Sequence, residues 1–90
     1  MITIQIPQAL RLYADGESEI RGEAVSLREA MALLQENCPQ VHRRVMAESG
    51  ETREHINLFV NRTLVRSLDG PDAVIRAGDI VTILPAISGG

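Results

Sequence analysis

Lysine is missing from this sequence of 90 residues, and all nine basic side chains are arginines. A guanidinium group stays protonated and does not accept an isopeptide bond, so the chain cannot build lysine-linked chains on itself. The formal net charge is −3, and the one pair of adjacent arginines is Arg43 and Arg44. Binding to a phosphate backbone therefore has little support, and we expect no nucleic-acid partner.

Aromatic residues and cysteine are almost as scarce. Tyr13 and Phe59 are the two aromatic side chains, so the core must be built from Ile, Leu, Val, Ala and Met. Cys38 is the single cysteine and cannot form an intrachain disulfide, which favours a reducing cytoplasm. No apolar run approaches the ~20 residues that cross a bilayer, and Met1 leads into a strand-like pattern without a basic leader. We therefore expect one cytoplasmic globular domain with no membrane partner.

An alternating pattern opens the chain and predicts a half-buried strand, which Pro7 ends. Its apolar positions, two residues apart, are Ile2, Ile4 and Ile6. Residues 8–13 are expected to lead into a turn at residues 14–16. A weaker strand over residues 17–23 then follows as the hairpin partner, with Ile20 as its inward residue.

A helix is predicted after this hairpin. Ser26 and Glu29 fit a capping box, in which the serine oxygen accepts from the Glu29 amide and the glutamate reaches back to the Ser26 amide. Apolar residues with helical spacing follow, namely Leu27, Ala30, Met31 and Leu34. Pro39 stops the helix, so that Cys38 is expected to be its last residue. Residues 41–46 are expected to form a short second helix.

Three further strands are expected in the second half of the chain. They cover residues 56–60, 64–66 and 80–84, with turns at residues 61–62, 69–71 and 77–79. Residues 80–84 are apolar on both faces, which is typical of a central strand. The order strand, strand, helix and three strands predicts an α+β fold of the β-grasp type. We expect a mixed sheet of four to five strands with one main helix packed on one face, a domain over residues 1–84, and a flexible tail over residues 85–90.

Several stretches resemble the bacterial ubiquitin-like sulfur carriers. The strongest are Asn57 to Asn61, the turn and strand from Ala77 to Pro85, and the ending Ala86-Ile87-Ser88-Gly89-Gly90. That group includes the molybdopterin synthase small subunit and the carriers of thiamine, cysteine and thio-siderophore biosynthesis. The chain length and the approach Leu84-Pro85-Ala86 are closest to the cysteine-biosynthesis and siderophore carriers, because molybdopterin synthase small subunits often have two prolines there.

The resemblance implies a protein cosubstrate rather than an enzyme. A free α-carboxylate is an anion at neutral pH and a poor electrophile, so it must be activated. In the family, a partner similar to ubiquitin-activating enzymes uses ATP and Mg²⁺ to adenylate the C-terminal carboxyl group, and sulfide or a persulfide converts it to a thiocarboxylate. The chain itself is expected to bind no cofactor. The implied partners are this adenylyltransferase, a sulfur-accepting biosynthetic enzyme and a metalloprotease that trims or releases the C-terminus.

Residue by residue, the resemblance places the reacting carboxyl group on Gly90. Gly89 precedes it, and two residues without a Cβ atom pass easily through a narrow enzyme channel. The expected partner contacts are Phe59, Pro85, Ala86, Ile87 and Ser88. Phe59 alternates with core-facing residues in the 56–60 strand, so we expect its ring on the open face of the sheet, where it would dock the activating enzyme.

Other functions remain open at this point. The chain could be a molybdopterin synthase small subunit, whose tail completes the active site of a large subunit, or a β-grasp module that only binds. Cys38 and His42 lie four residues apart, but Pro39 between them breaks the helical geometry of a nucleophile and its base. The cysteine and the histidines also lack the spacing of zinc ligands, so we expect no metal site.

Overall fold

The computed structural model describes residues 1–49, 52–65 and 72–85. These ranges contain five strands, which are β1 Ile2–Gln5, β2 Glu19–Gly22, β3 Ile56–Val60, β4 Thr63–Leu64 and β5 Ile80–Pro85. The α-helices are α1 Leu27–Asn37 and α2 Pro39–Val45, and a 3₁₀ segment covers Gln8–Ala14. No helix in the described ranges is long and apolar enough to cross a membrane.

The strands form one open, mixed sheet in the order β2-β1-β5-β3-β4. β1 pairs antiparallel with β2 and parallel with β5, while β3 pairs antiparallel with both β5 and β4. β5 therefore lies in the middle of the sheet, as its apolar sequence predicts. The arrangement confirms the ubiquitin-like β-grasp fold, with α1 as the main helix and with α2 and the 3₁₀ segment in addition.

The core is one aliphatic cluster built by the sheet and the helices. Its largest fully buried side chains are Ile2, Ile4, Ile6, Leu34, Val41, Val45, Leu58, Ile75, Val81 and Ile83. Ile56 and Val60 are half-buried against this cluster, on the same face of β3 as Leu58. Of the described aromatic residues, Tyr13 packs against the outside of the core and Phe59 does not join it. The prediction of an aliphatic core is thus confirmed.

The start of α1 follows the predicted capping box with one change. The Glu29 amide donates to Ser26 Oγ at 3.2 Å, as expected. The Glu29 carboxylate, however, accepts from the Val25 amide at 3.2 Å, whereas the prediction gave it the Ser26 amide. α1 ends one residue before Cys38, and Pro39 is the first residue of α2 rather than a plain stop. Proline is favoured at this position because the first helical amide has no partner within the helix.

Several boundaries differ from those read off the sequence. The 3₁₀ segment was not predicted, and β2 is shorter than residues 17–23. β4 begins one residue earlier than expected, and β5 continues through Pro85, which pairs with Ile56. A proline is tolerated at such a place because it removes only one amide from the end of the ladder. Residue 66 of the predicted β4 strand and the predicted turn at residues 69–71 lie outside the described residues.

Gly22 allows α1 to pack closely on the end of β2. A Cβ atom at this position would lie 2.7 Å from both δ-methyl groups of Leu33. That separation is well inside van der Waals contact, so any larger residue would force Leu33 to move.

Asn61 and Asp79 join the β3–β4 turn to the start of β5. Asn61 Nδ2 donates to Asp79 Oδ1 at 3.0 Å, and the amide of Ile80 donates to Asn61 Oδ1 at 3.0 Å. Asp79 Oδ2 accepts from the amide of Arg76 at 2.9 Å. Asn61 has φ +57°, a left-handed conformation that asparagine adopts more readily than most residues. The two turns were predicted from the sequence, but the clasp between them was not.

Truncation of Leu34 should show how strongly the fold depends on the contact between α1 and the sheet. Leu34 is fully buried, and Leu34→Ala should lower the free energy of unfolding by ~2–5 kcal/mol in denaturant melts. Gln35→Ala, on the exposed face of the same helix, is the control and should change it by no more than about 0.5 kcal/mol. Equal losses of stability in the two variants would contradict the packing of Leu34 between α1 and the sheet.

Asp79→Asn should weaken the pH dependence of stability. The amide of Arg76 and then the side chain of Asn61 hold the pKa of Asp79 below its usual range. The ionised clasp is therefore complete above the unfolded-state pKa of ~3.9, and it is lost as the pH falls through the lower folded-state pKa. Asp79→Asn should be less stable than the wild type at neutral pH, and the difference should narrow in acid.

Denaturant unfolding at neutral and acidic pH measures this change directly. Asp72→Asn is a matched control, because the ion pair that Asp72 forms with Arg28 is exposed and contributes little to stability. It should keep the wild-type pH dependence. A constant difference between Asp79→Asn and the wild type at both pH values would show that the charge of Asp79 does not stabilise the fold.

Candidate functional site

The central strand β5 leads directly into the C-terminal residues. Its first half pairs with β1, through residues Ile80 to Thr82, and its second half continues along β3 as far as Pro85. Pro85 is half-buried and lies opposite Ile56. Pro85, the last described residue, is thus held in place by the central strand of the sheet. Ala86, Ile87, Ser88, Gly89 and Gly90, which the sequence interpretation placed in the site, lie outside the described residues.

Phe59 lies on the face of the sheet opposite the core. It is paired with Thr82 of β5 on one side and with Leu64 of β4 on the other, and it is half-buried between these neighbours. Its two flanking residues in β3, Leu58 and Val60, face the core. The orientation expected from the alternation is therefore what the structure shows, while the proposed role in docking stays a prediction.

Three exposed aliphatic side chains surround Phe59 on this open face. Leu64 is directly opposite it, with 41% of its surface exposed. Ile80 and Leu84 lie two residues to either side of Thr82 in β5, at 38% and 45% exposure, so both are diagonal neighbours of Phe59. We call Phe59, Leu64, Ile80 and Leu84 the apolar sheet patch.

The other half of the open face is polar. Thr82 Oγ1 donates to Gln5 Oε1 at 3.2 Å, across the pair formed by β5 and β1. Further out, on β2, Arg21 and Glu19 form an exposed ion pair at 2.7 Å. The apolar sheet patch is therefore confined to β3, β4 and β5, which places it beside the strand that leads to the tail.

Sequence reasoning found Phe59 but missed the other members of the patch. Leu64, Ile80 and Leu84 become its neighbours only through the pairing register of β3 with β4 and β5. A period-2 pattern indicates which residues of one strand share a face, but it does not show which residues of two strands stand opposite each other. The exposed residues of β5 were the available signal, since an apolar central strand with one uncovered face must present some of its side chains to solvent.

Cys38 and His42 have no features of a catalytic pair. Burial raises the pKa of the Cys38 thiol, and the nearby carboxylates of Asp15 and Glu17 raise it further. Burial lowers the pKa of His42. The thiol is thus protonated at neutral pH, whereas a nucleophilic cysteine needs the thiolate. Among the described residues, no group of three or more His, Cys, Asp or Glu side chains could hold a metal ion.

Comparison with known proteins agrees with this geometry. Residues 4–90 match the ThiS family. The sulfur carrier protein CysO of Mycobacterium tuberculosis strain H37Rv is 33% identical over 91 residues, which cover 99% of this chain and 98% of that protein. The crystal structure of Mycobacterium tuberculosis CysO has a TM-score of 0.87 and 31% identity, covering 97% of this chain and 100% of that one.

A second solved structure gives the same result. The crystal structure of the BexX/CysO complex of Amycolatopsis orientalis contains a chain with a TM-score of 0.89 and 30% identity, and all of both chains is covered. A match over nearly the whole length therefore accompanies the β-grasp fold and the Gly-Gly ending. The chain belongs to the ThiS family of sulfur-carrier proteins.

Proposed function

We propose that the chain carries sulfur as a thiocarboxylate on the carboxyl group of Gly90. In this cycle the Gly90 carboxylate attacks the α-phosphorus of ATP, bound with Mg²⁺ in a partner enzyme, and pyrophosphate leaves. Hydrosulfide then attacks the carbonyl carbon, AMP leaves with the electron pair of the broken C–O bond, and the remaining proton passes to solvent. The sulfur stays covalently attached to the carrier until an acceptor enzyme takes it.

The observation that carries this proposal is the double role of β5. Its outward side chains Ile80 and Leu84 belong to the apolar sheet patch, and its last residue is followed by the sequence that ends in Gly-Gly. A partner that holds the patch would therefore receive the tail from a fixed starting point. Membership of the ThiS family supports the sulfur chemistry.

The length of the tail is sufficient for delivery into an active site. The six residues after Leu84 span at most ~20 Å when extended, at ~3.3 Å per residue. Gly89 and Gly90 lack Cβ atoms, so the last part of the tail fits a channel too narrow for larger side chains. In this proposal the domain stays outside the partner. Ala86, Ile87 and Ser88 enter its channel and contact the channel walls.

The apolar sheet patch is proposed as the docking site for the activating enzyme. Exposed aliphatic side chains around one aromatic ring have the composition of an interface centre, with Phe59 as the anchor. A CysO protein has been crystallised in a complex with BexX, which supports a function carried out through partner proteins. An adenylyltransferase, a sulfur-accepting enzyme and a metalloprotease acting on the C-terminus are the partners that we propose.

The similarity to carriers named CysO favours cysteine biosynthesis as the pathway that receives the sulfur. A sulfur-containing metabolite such as a siderophore is the other acceptor class that this proposal includes. In either case the chain acts as a cosubstrate, and the adenylation and the final transfer take place in its partners.

Phe59→Ala should weaken docking while leaving the fold intact. Truncation of an aromatic interface anchor commonly costs ~2 kcal/mol, which is about thirtyfold in affinity. We expect a corresponding rise in the carrier concentration needed for half-maximal ATP–pyrophosphate exchange by the cognate adenylating enzyme. Leu12→Ala is the control, since Leu12 is 81% exposed and lies on the 3₁₀ segment, away from the patch.

The melting temperature separates docking from folding in this experiment. Because Phe59 lies outside the core, the variant should melt close to the wild type. A core phenylalanine would instead cost ~3–5 kcal/mol of stability on truncation. A large loss of stability, or an unchanged half-maximal concentration, would contradict the proposed role of Phe59.

Deletion of Gly90, or extension of the chain by one residue, should abolish sulfur loading. The reacting carbon would move by ~3.3 Å, and adenylation requires close alignment of the reacting atoms. Intact-mass analysis after incubation with the adenylating enzyme, ATP and sulfide should show one oxygen replaced by sulfur in the wild type alone. The tail variants should remain folded, which thermal unfolding can check.

Cys38→Ser is the matched control for this experiment. It should load like the wild type, because the proposed sulfur is attached to Gly90 and the Cys38 thiol is half-buried. Loading that maps to Cys38 as a persulfide, or that survives deletion of Gly90, would refute the carrier mechanism. A fully folded wild type that never loads would instead support the binding-only module.

A further inference from the structure

Two polar residues in the stretches that resemble sulfur carriers have no part in the proposed sulfur chemistry. Asn61 ends the first of these stretches, and Asp79 lies in the turn before β5. The structure joins them in the clasp, and each is close in sequence to a member of the apolar sheet patch. Asp79 directly precedes Ile80, and Asn61 lies three positions before Leu64. The clasp is therefore placed to act on the patch through two strands at once.

Asn61 extends the ladder between β3 and β5 with its side chain. In the register of these strands it stands opposite Ile80, one step beyond the last pair, which is Val60 with Val81. Its own amide donates to the carbonyl of Ile80 at 2.7 Å, as an antiparallel ladder requires. The reciprocal donor, the amide of Ile80, donates at 3.0 Å to the side-chain atom Asn61 Oδ1. The side chain thus takes the place of a main-chain acceptor where the chain leaves the ladder with φ +57°.

Asparagine meets three demands at this position. It adopts the left-handed conformation, its oxygen accepts from the amide of Ile80, and its nitrogen donates to Asp79 Oδ1 at 3.0 Å. Glycine would meet the first demand alone, since it has no side chain. Aspartate would meet the first two, but it would set a second carboxylate against that of Asp79 and offer it no donor. The side-chain amide is therefore specific to the clasp rather than to the turn.

The other half of the clasp is anchored to the sheet. Asp79 Oδ2 accepts from the amide of Arg76 at 2.9 Å, and the Asp79 carbonyl accepts from the amide of Thr3, in β1, at 3.1 Å. Asn61, in the β3–β4 turn, is thus tied to a residue that is itself held from two directions. β4 is an edge strand of two residues, so this turn is a main restraint on the position of Leu64.

We propose that Asn61 and Asp79 are positioning residues for docking, which hold Leu64 and Ile80 in the arrangement that the partner binds. Both patch residues lie at the ends of their strands, where the ladder restrains a side chain least. Ordering them before binding lowers the entropy that docking costs. This inference rests on the proposed docking of the activating enzyme at the apolar sheet patch.

The test exchanges the two side chains of the clasp. Asn61→Asp keeps an acceptor for the amide of Ile80 but brings two carboxylates together. In Asn61→Asp/Asp79→Asn, the nitrogen introduced at position 79 can donate to the carboxylate introduced at position 61, and its oxygen can still accept from the amide of Arg76. Val41→Ala is the control for stability alone, because Val41 is fully buried in α2, on the core side of the sheet.

Each full-length variant is titrated into ATP–pyrophosphate exchange by the cognate adenylating enzyme, and its melting temperature is measured. We expect Asn61→Asp to raise the half-maximal carrier concentration about fivefold to tenfold, through the cost of ordering two side chains on binding. The double variant should return to within about twofold of the wild type. Val41→Ala should melt earlier and dock like the wild type. If Asn61→Asp is unfolded at the assay temperature, Asn61→Gly takes its place, with the same expected result.

Several results would overturn the inference. They are a double variant that docks as weakly as Asn61→Asp, a Val41→Ala variant that weakens docking to the same extent, and a single clasp variant that docks like the wild type. Leu64→Ala separates these results from failure of the proposed function. If it docks like the wild type, the docking surface is refuted and the positioning role with it. If it docks weakly while Asn61→Asp docks normally, the positioning role alone is refuted.

Discussion

The register of β5 is the constraint on which the rest of the structure depends. Val81 and Ile83 point into the core, and Ile80, Thr82 and Leu84 point to the open face. A slip of one residue would exchange these two sets, burying the hydroxyl group of Thr82 and exposing the core residues Val81 and Ile83. The same register determines where the strand ends, and so where the tail starts. Core, patch and tail are therefore parts of one arrangement.

Two features hold this register in place. β5 pairs with β1 on one side and with β3 on the other, so a slip would break two ladders at once. At its start, the clasp between Asn61 and Asp79 fixes Ile80 through both its amide and its carbonyl group. The clasp also connects the β3–β4 turn to β5, which keeps Leu64 and Ile80 in the same patch.

Local patterns were sufficient to predict most of the fold. The alternation of Ile2, Ile4 and Ile6, the cap at Ser26 and the apolar run before Pro85 each specify one element through near neighbours in the sequence. The ends of the elements were less predictable. The carboxylate of Glu29 accepts from the Val25 amide and not from the expected Ser26 amide, a difference set by how the chain enters the helix. The 3₁₀ segment has neither an alternating nor a 3.6-residue pattern, and it forms where the chain returns from β1 toward Ile20.

The candidate site was only partly predictable for a different reason. The family resemblance and the parity of β3 identify Phe59, but the apolar sheet patch is a product of long-range pairing. Leu64 and Leu84 are separated by 20 positions in the sequence, and they share a patch because β3 lies between their strands. No local sequence pattern shows that these two residues are neighbours of Phe59. The strand order β5-β3-β4 shows it directly, because it places their strands on either side of β3.

The proposed division of labour between domain and tail would explain why so simple a sequence is sufficient for a carrier. In the proposed cycle, the chain needs no catalytic side chain of its own, only recognition by partners and delivery of the carboxyl carbon of Gly90. The folded domain can supply recognition through an aliphatic core that fixes the patch, and the tail can supply reach.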